Sequence, residues 1–342
     1  LSLRNFSVSI VRGGRFARPV FIVSFMDNLP ERRNPPVSTA AKTEKKRLIS
    51  LNTRNTLVGL SFILPNFIGF AVFILVPVVF SFVLSVMKWD GFTAMEFVGL
   101  QNFVNIFKDR VFRAALRQTI VFSVFTVIFS MIAALGLALL LNTKIKFVNF
   151  FRSAIFFPYV ASIVAVGAVF KAMFLKDGGP INQFLSMIGV PAELLPGWLS
   201  STKWALMAVI IVQVWKNMGY FMLIYLAALQ DIPSSLYEAA SIDGASKWRQ
   251  FRSITFPMLT PSHFFVFIML TINSFKTFDL IFALTEGGPG TSTTLLSMYI
   301  YNQSFISWNY GSASAAAIIL LLIVGSITLF QFKAEKKFND FM

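Results

Sequence analysis

The sequence predicts an all-α, polytopic membrane protein with about six transmembrane helices, and three observations carry that expectation. Hydrophobic residues make up 56% of the 342 and charged residues only 13%, with a mean hydropathy of +0.70, too apolar for an ordinary soluble domain. Six stretches are long and apolar enough to cross a hydrocarbon core about 30 Å thick, which takes roughly 20 residues. Basic residues are dense in alternate connections between them, as membrane topology requires.

The elements follow in chain order. Residues 1–56 form a polar tail with Pro30, Pro35, Pro36 and the run Lys45-Lys46-Arg47, expected to be cytoplasmic and either mobile or interfacial. Its only apolar run, Val20 to Met26, is short for a signal peptide, and Met26 is an alternative start to Leu1 that would make the upstream residues a translated leader. From residue 57 to 342 the chain reads as one six-helix membrane domain. Its first span, Leu57 to Met87, is long and holds Pro65 and Pro77, which predicts a kink or an interfacial turn. The others are Leu116 to Leu141, Ala154 to Leu175, Trp204 to Leu229, Pro261 to Leu284 and Ala313 to Phe332.

Charge orients these spans. The tail holds eleven basic residues, and the second-to-third connection, the fourth-to-fifth connection and the C-terminus hold three each, twenty on one side. The opposite side holds six: Lys88, Lys108, Arg110, Arg113, Lys176 and Lys203. This bias places both termini on the cytoplasmic side of the membrane. The net charge of +15 is thereby absorbed by topology, and no concentrated nucleic-acid footprint is left.

Composition also excludes chemistry. With no Cys and a single His263, the chain offers no disulfide scaffold, thiol nucleophile or multi-histidine metal centre, and little material for a triad. We expect no metal site, no bound cofactor and no catalytic residue.

The most informative stretch lies at about 230–260. Glu238-Ala239-Ala240-Ser241-Ile242-Asp243-Gly244-Ala245 is followed by Lys247-Trp248-Arg249-Gln250-Phe251 and Ile254-Thr255-Phe256-Pro257. Ser234 or Ser235 is a candidate cap for a helix carrying Glu238 in its first turn. Gly244 permits a turn, and a second amphipathic helix runs on to Pro257. Two short helices at an angle make a knob suited to a groove on a partner, or else an ordinary interfacial loop.

This spacing resembles the EAA loop of ABC-importer permeases: Glu-Ala-Ala, three residues, Gly, nine residues, Ile, one residue, Leu-Pro. Glu238, Ala239, Ala240, Gly244, Ile254 and Pro257 match, with Phe256 in place of Leu. Phe97-Val98-Gly99-Leu100-Gln101-Asn102-Phe103, Pro158-Tyr159 and Leu284-Thr285-Glu286-Gly287-Gly288-Pro289-Gly290 resemble the carbohydrate branch, the larger maltose-type subunits and their glycerol-phosphate-type relatives. The resemblance implies a type I ABC importer permease core. It also implies that Glu238 to about Gln250 is a coupling helix held by a cytoplasmic ATPase, with Glu238, Ala239, Ala240, Asp243, Gly244, Ala245, Trp248, Phe251 and Pro257 as coupling residues. Implied partners are a second homologous permease, two ATPase subunits that bind ATP and Mg, and a periplasmic or extracellular solute-binding protein. No Gly-x-x-x-x-Gly-Lys-Ser/Thr occurs here, so ATP belongs to another chain.

Cations inside spans are costly and therefore informative. Lys171 and Arg117 lie near span ends, where snorkelling suffices. Lys276 and Asp279 are three apart and are expected to pair or to line the pathway. Lys216 has no acid three or four positions away, while Gln213, Asn217 and Tyr220 share its general face, a polar stripe. The resemblance places sugar contacts near Tyr159, Gln213, Lys216, Asn217 and Ser274. The resulting reading is a permease subunit of a bacterial inner membrane importing carbohydrate, with Lys216 suggesting either an acidic oligosaccharide as cargo or an ion pair to an acid on the partner permease. The alternative is an ion-coupled secondary transporter using Lys276 and Asp279.

Overall fold

The computed structural model describes residues 51–143 and 146–339, and the expected tail lies outside them up to residue 50. The chain falls into two compact units, one ending at Ile63 and the other running from Leu64 to Met342; everything below except the start of the first helix belongs to the second.

Helix α1 (Leu51–Phe70) leads through a π-turn over Ala71–Leu75 into α2 (Val76–Ser85). The expected irregularity is thus a π-turn, placed where the Pro77 ring would otherwise meet the carbonyl of Phe73 four residues back. A two-stranded hairpin follows, β1 (Met87–Lys88) antiparallel to β2 (Glu96–Phe97), with Met87 opposite Phe97. Then come α3 (Gln101–Lys108) and α4 (Arg110–Leu141). The second span starts earlier than the hydropathy suggests because Asp109 caps it, accepting from the Val111 N–H at 2.8 Å.

The third span is broken. In its place stand α5 (Val148–Val160) and α6 (Ile163–Met173), inclined at 97° across the extended residues Ala161 and Ser162. Short α7 (Pro180–Met187) precedes α8 (Ala205–Gln230), the fourth span. The next connection folds as α9 (Ser234–Ile242), α10 (Lys247–Gln250), a π-turn over Phe251–Thr255 and α11 (Phe256–Met258). The fifth span is α12 (Thr260–Phe275), at 64° to the Lys247–Met258 segment; it stops at Lys276 and does not continue to Leu284. α13 (Asp279–Leu284), α14 (Leu296–Tyr301) and α15 (Tyr310–Asn339) complete the described chain.

Among the described residues four helical spans are long and apolar enough to cross a membrane unbroken, and counting each of the two bent pairs as one span raises the number to six. α4 and α8 pack most extensively on each other, and α12 lies across α4. Their core is built on fully buried Ala134, Ala138, Phe221, Met222, Leu259, Val266 and Leu270. A second cluster joins Val166 of α6 and Leu280, Ile281 and Leu284 of α13 to Ala208, Val209 and Val212 of α8. A third holds α14 and α15 against the start of α4 through Phe112, Ala115, Leu296 and Ala316. His263 belongs to the packed core: its Nδ1 meets the Tyr225 hydroxyl at 3.0 Å, and its ring lies 4.6 Å from that of Phe256.

Candidate functional site: a polar bend and a two-helix knob

The polar stripe on α8 meets the chain where the third span breaks. Carbonyls at the end of α5 lose their helical partners there, and Lys216 replaces them. Its Nζ donates to Pro158 O at 3.2 Å, Tyr159 O at 3.0 Å and Ala161 O at 3.1 Å. An ammonium has three donors, and all three are used. This answers the missing acidic partner: a cation at a helix C-terminus is held by aligned carbonyl dipoles.

One turn further along α8, the Tyr220 ring stacks on that of Tyr159, centroids 4.5 Å apart and planes within 12°. Gln213 Nε2 donates to Asn217 Oδ1 at 3.0 Å, and Asn217 is buried. Tyr159, Lys216 and Tyr220 are thus brought together at the bend between α5, α6 and α8, while Gln213 and Asn217 pair with each other beside Lys216 on α8. The close approach rests on Gly219, where any Cβ would overlap the Ile155 carbonyl.

The other expected pathway residues behave differently. Ser274 is buried and its hydroxyl donates to Thr271 O at 2.9 Å, within its own helix. Lys276 and Asp279 do not pair; among the described residues the ion pairs are Lys88 with Glu96 at 3.7 Å and Lys171 with Glu286 at 3.8 Å. The physical reason is the end of α12 at Lys276, since a spacing of three faces one way only along an unbroken helix. Both side chains are exposed at the break between α12 and α13. Lys171, expected to snorkel at the end of its span, reaches the exposed Glu286 of the Gly-Gly-Pro loop.

The 230–260 connection forms the expected knob. Pro233 stands at the cap of α9 with no side-chain bond to the helix, so neither Ser234 nor Ser235 caps it, and Glu238 lies beyond the first turn. Gly244 has a φ of +73°, its N–H donates to Ser241 O at 3.1 Å, and the Ala245 N–H donates to Ala240 O at 2.9 Å. This is a Schellman cap that reverses the chain. Ser246 then caps α10, and buried Gln250 reaches back from it to Ser241 Oγ at 3.0 Å and Ala245 O at 3.2 Å. Tyr237 and Thr255 hydroxyls, 2.9 Å apart, tie the knob to the π-turn.

Glu238, Ala239, Asp243 and Trp248 are exposed, Ala240, Ala245, Phe251 and Pro257 half-buried. Trp248 stacks on Phe251 at 5.5 Å. Sequence reasoning missed the most prominent apolar group, Ile242, which is 87% exposed; its position four residues after Glu238 was the available signal. It also missed Gln250 as the brace of the knob. A cavity of 490 Å³ lies between the two short helices, lined by Tyr237, Glu238, Ile242, Lys247 and Gln250 among others. Among the described residues no group of three or more His, Cys, Asp or Glu is placed to hold a metal ion.

Residues 127–339 match the family model described as binding-protein-dependent transport system inner membrane component. The chain is 38% identical over 305 residues to the lactose transport system permease protein LacF of Rhizobium radiobacter, covering 88% of this chain and 99% of that protein. It is similar in structure to a chain of a bacterial ABC transporter involved in the import of the acidic polysaccharide alginate. The TM-score is 0.72 at 26% identity, over 84% of this chain and 97% of that one. A second structure, of a bacterial alginate ABC transporter in complex with an alginate pentasaccharide-bound periplasmic protein, gives 0.71 at 25% identity, over 82% and 94%.

Proposed function

The chain belongs to the family of binding-protein-dependent transport system inner membrane components, and on that premise we propose how it acts as the carbohydrate permease of an ATP-driven importer. The observation that carries the reading is the aromatic and amide surface at the bend of the third span. The stacked Tyr159 and Tyr220 rings offer faces to a pyranose, and the half-buried Gln213 amide, braced by buried Asn217, offers a donor and an acceptor to its hydroxyls. Passage through such a site needs no covalent step.

The knob is the coupling element in this reading. Glu238, Ile242 and Trp248 stand on its outer surface, and an ATPase cleft that closed on them would pull on α12 through the π-turn and α11. The remaining partners are a second homologous permease and an external solute-binding protein, with both termini and the knob on the cytoplasmic side. ATP and Mg are held by the ATPase subunits, and this chain contributes no catalytic residue.

Charge on the cargo is read from Lys276, since every donor of Lys216 is occupied. Lys276 is exposed at the α12–α13 break and has no carboxylate within ion-pair distance among the described residues. An acidic oligosaccharide would find its counter-charge there. Lys276→Met is expected to slow uptake of an acidic oligosaccharide more than that of a matched neutral one; equal effects on both would remove the charge assignment.

The rival, an ion-coupled secondary transporter, requires a buried Lys276–Asp279 pair, and these two are exposed and apart. Proteoliposomes holding the assembled transporter decide between them. ATP-dependent uptake of sugar delivered by the binding protein is expected to survive ionophores that collapse proton and sodium gradients. Uptake that stops with the gradients would overturn the reading.

A further inference from the structure

We propose that Lys216 is a positioning residue: it sets the angle between the two halves of the broken third span and thereby holds Tyr159 in register with Tyr220. The consequence for cargo rests on the carbohydrate-permease reading; the clamp itself rests on geometry alone.

Three independent features meet at this point. The first is the ammonium itself, which bridges carbonyls on both sides of the end of α5: Pro158 and Tyr159 lie within the helix, and Ala161 lies in the extended link to α6. Each bond alone would only cap a helix. Together they fix the direction in which the chain leaves it, because Nζ can reach all three oxygens only while the link keeps its present course.

The second is the seating of the two halves. α5 is pressed onto α8 at Gly219, whereas α6 is pressed onto α13 at Gly167, where a Cβ would stand 2.8 Å from that of Ala283. The halves are therefore seated mainly on different helices, α5 on α8 and α6 on α13, and a restraint is needed where they join. The third is Trp215, next to Lys216, whose ring meets Phe170 of α6 edge-on at 5.2 Å. Consecutive residues of α8 thus grip α6 by an aromatic contact and the end of α5 by hydrogen bonds.

The Tyr159 carbonyl is itself one of the three acceptors, so the same restraint that fixes the bend fixes the backbone carrying the Tyr159 ring. Removing the ammonium would free the link, let α6 swing with α13, and release the ring stack. A purely structural lysine would instead loosen the bundle as a whole.

The test uses the absence of native Cys in this chain. Spin labels at Val169→Cys on α6 and Met207→Cys on α8, both exposed positions, report the bend in the assembled transporter whose partner chains carry no labelled cysteine. A second pair, Phe125→Cys on α4 and Ile211→Cys on α8, reports the bundle. In Lys216→Met the first distance distribution is expected to broaden and shift while the second stays as in the parent, and Lys216→Arg is expected to restore the first. An unchanged first distribution, or equal broadening of both, overturns the proposal. Should Lys216→Met fail to assemble, Lys216→Gln, which keeps two donors, is read with the same two pairs and the same criteria. No cargo is needed, so a wrong carbohydrate reading would leave this result standing and show itself only in the uptake assay.

Discussion

A Cβ on Gly219 would stand 2.8 Å from the Cα of Phe156, so α5 and α8 touch backbone to backbone at the very turn that carries Lys216 and Tyr220. Glycine is needed there for space, since it lies in the interior of a regular helix. Gly219→Ala is expected to destabilise the assembled protein by about 1–3 kcal/mol, the usual cost of overpacking. Gly136→Ala on α4, where nothing lies within 4 Å, serves as the contrast and should be neutral or mildly stabilising. Thermal melting of the purified complex checks both, and equal melting temperatures would contradict the close approach.

At Gly244 the requirement is conformational. Its φ is +73° and no atom lies within 4 Å of where a Cβ would stand, so backbone strain alone penalises substitution. Gly244→Val is expected to abolish sugar-stimulated ATP hydrolysis while the chain still inserts, and Gly244→Asn to retain part of it, since Asn tolerates this region. Glu238→Lys, which reverses an exposed charge on the same knob, should also uncouple. Stimulation at the parent level in all three would remove the knob from the coupling path.

Sidedness is open to direct labelling. Thr291 in the Gly-Gly-Pro loop and Lys247 on the knob are both exposed, and each can be replaced by Cys. Thr291→Cys is expected to react with an impermeant maleimide from outside and Lys247→Cys only after the membrane is opened. The reverse pattern would overturn the orientation derived from twenty basic residues against six.

Asp90 gives a pH signature in the hairpin loop. Its carboxylate accepts from the Thr93 N–H at 2.8 Å, the Phe92 N–H at 3.0 Å and the Thr93 hydroxyl at 2.8 Å. These bonds, the Thr93 backbone one foremost, hold its carboxyl down at about 2. A depressed carboxyl lends stability that is complete above the ordinary value of about 3.9 and is lost as pH falls through the folded one. A spin label at Ala94→Cys, an exposed position beside Thr93, should therefore gain mobility as pH is lowered from about 4 to 2. In Asp90→Asn that step should be missing, and its persistence there would assign the change to another group.

The phenol of Tyr299 donates to Asp109 Oδ2 at 2.9 Å, while Oδ1 of the same carboxylate caps α4. Burial first, and then the Asp109 bond, push the Tyr299 phenol well above its usual range. Tyr299→Phe is expected to cost about 0.5–1.5 kcal/mol and Asp109→Ala more, because it removes the cap as well. A chemical-denaturation series compares them; a larger loss in Tyr299→Phe would reverse the assignment.

The membrane character, the spans and the knob are legible in the sequence because each depends on local pattern. Apolar length gives a span, and Glu-Ala-Ala, Gly244 and Pro257 at their spacing give two short helices and a turn, whatever packs around them. Even there the caps differ from expectation: Pro233 takes the position expected of Ser234 or Ser235, since Pro-set backbone serves without a side-chain bond. The bend at Ala161 and Ser162 is not legible. Its stretch reads as a single mostly apolar span in which Pro158 and Ser162 are local interruptions before Lys171, and nothing local states that three carbonyls will find their donors on a lysine 55 to 58 residues away.

The sequence by itself therefore determined that the chain belongs in a membrane, where its long apolar stretches lie, and that the 230–260 connection folds as two short helices about a turn. Tertiary structure decided what the charges in the spans do. Lys216 became a carbonyl clamp, Lys171 paired with Glu286, and Lys276 stayed apart from Asp279. The physical reason is that an apolar run is stabilised by its own transfer energy, whereas a charge in a low-dielectric interior is stabilised only by the particular groups that folding brings within hydrogen-bond reach.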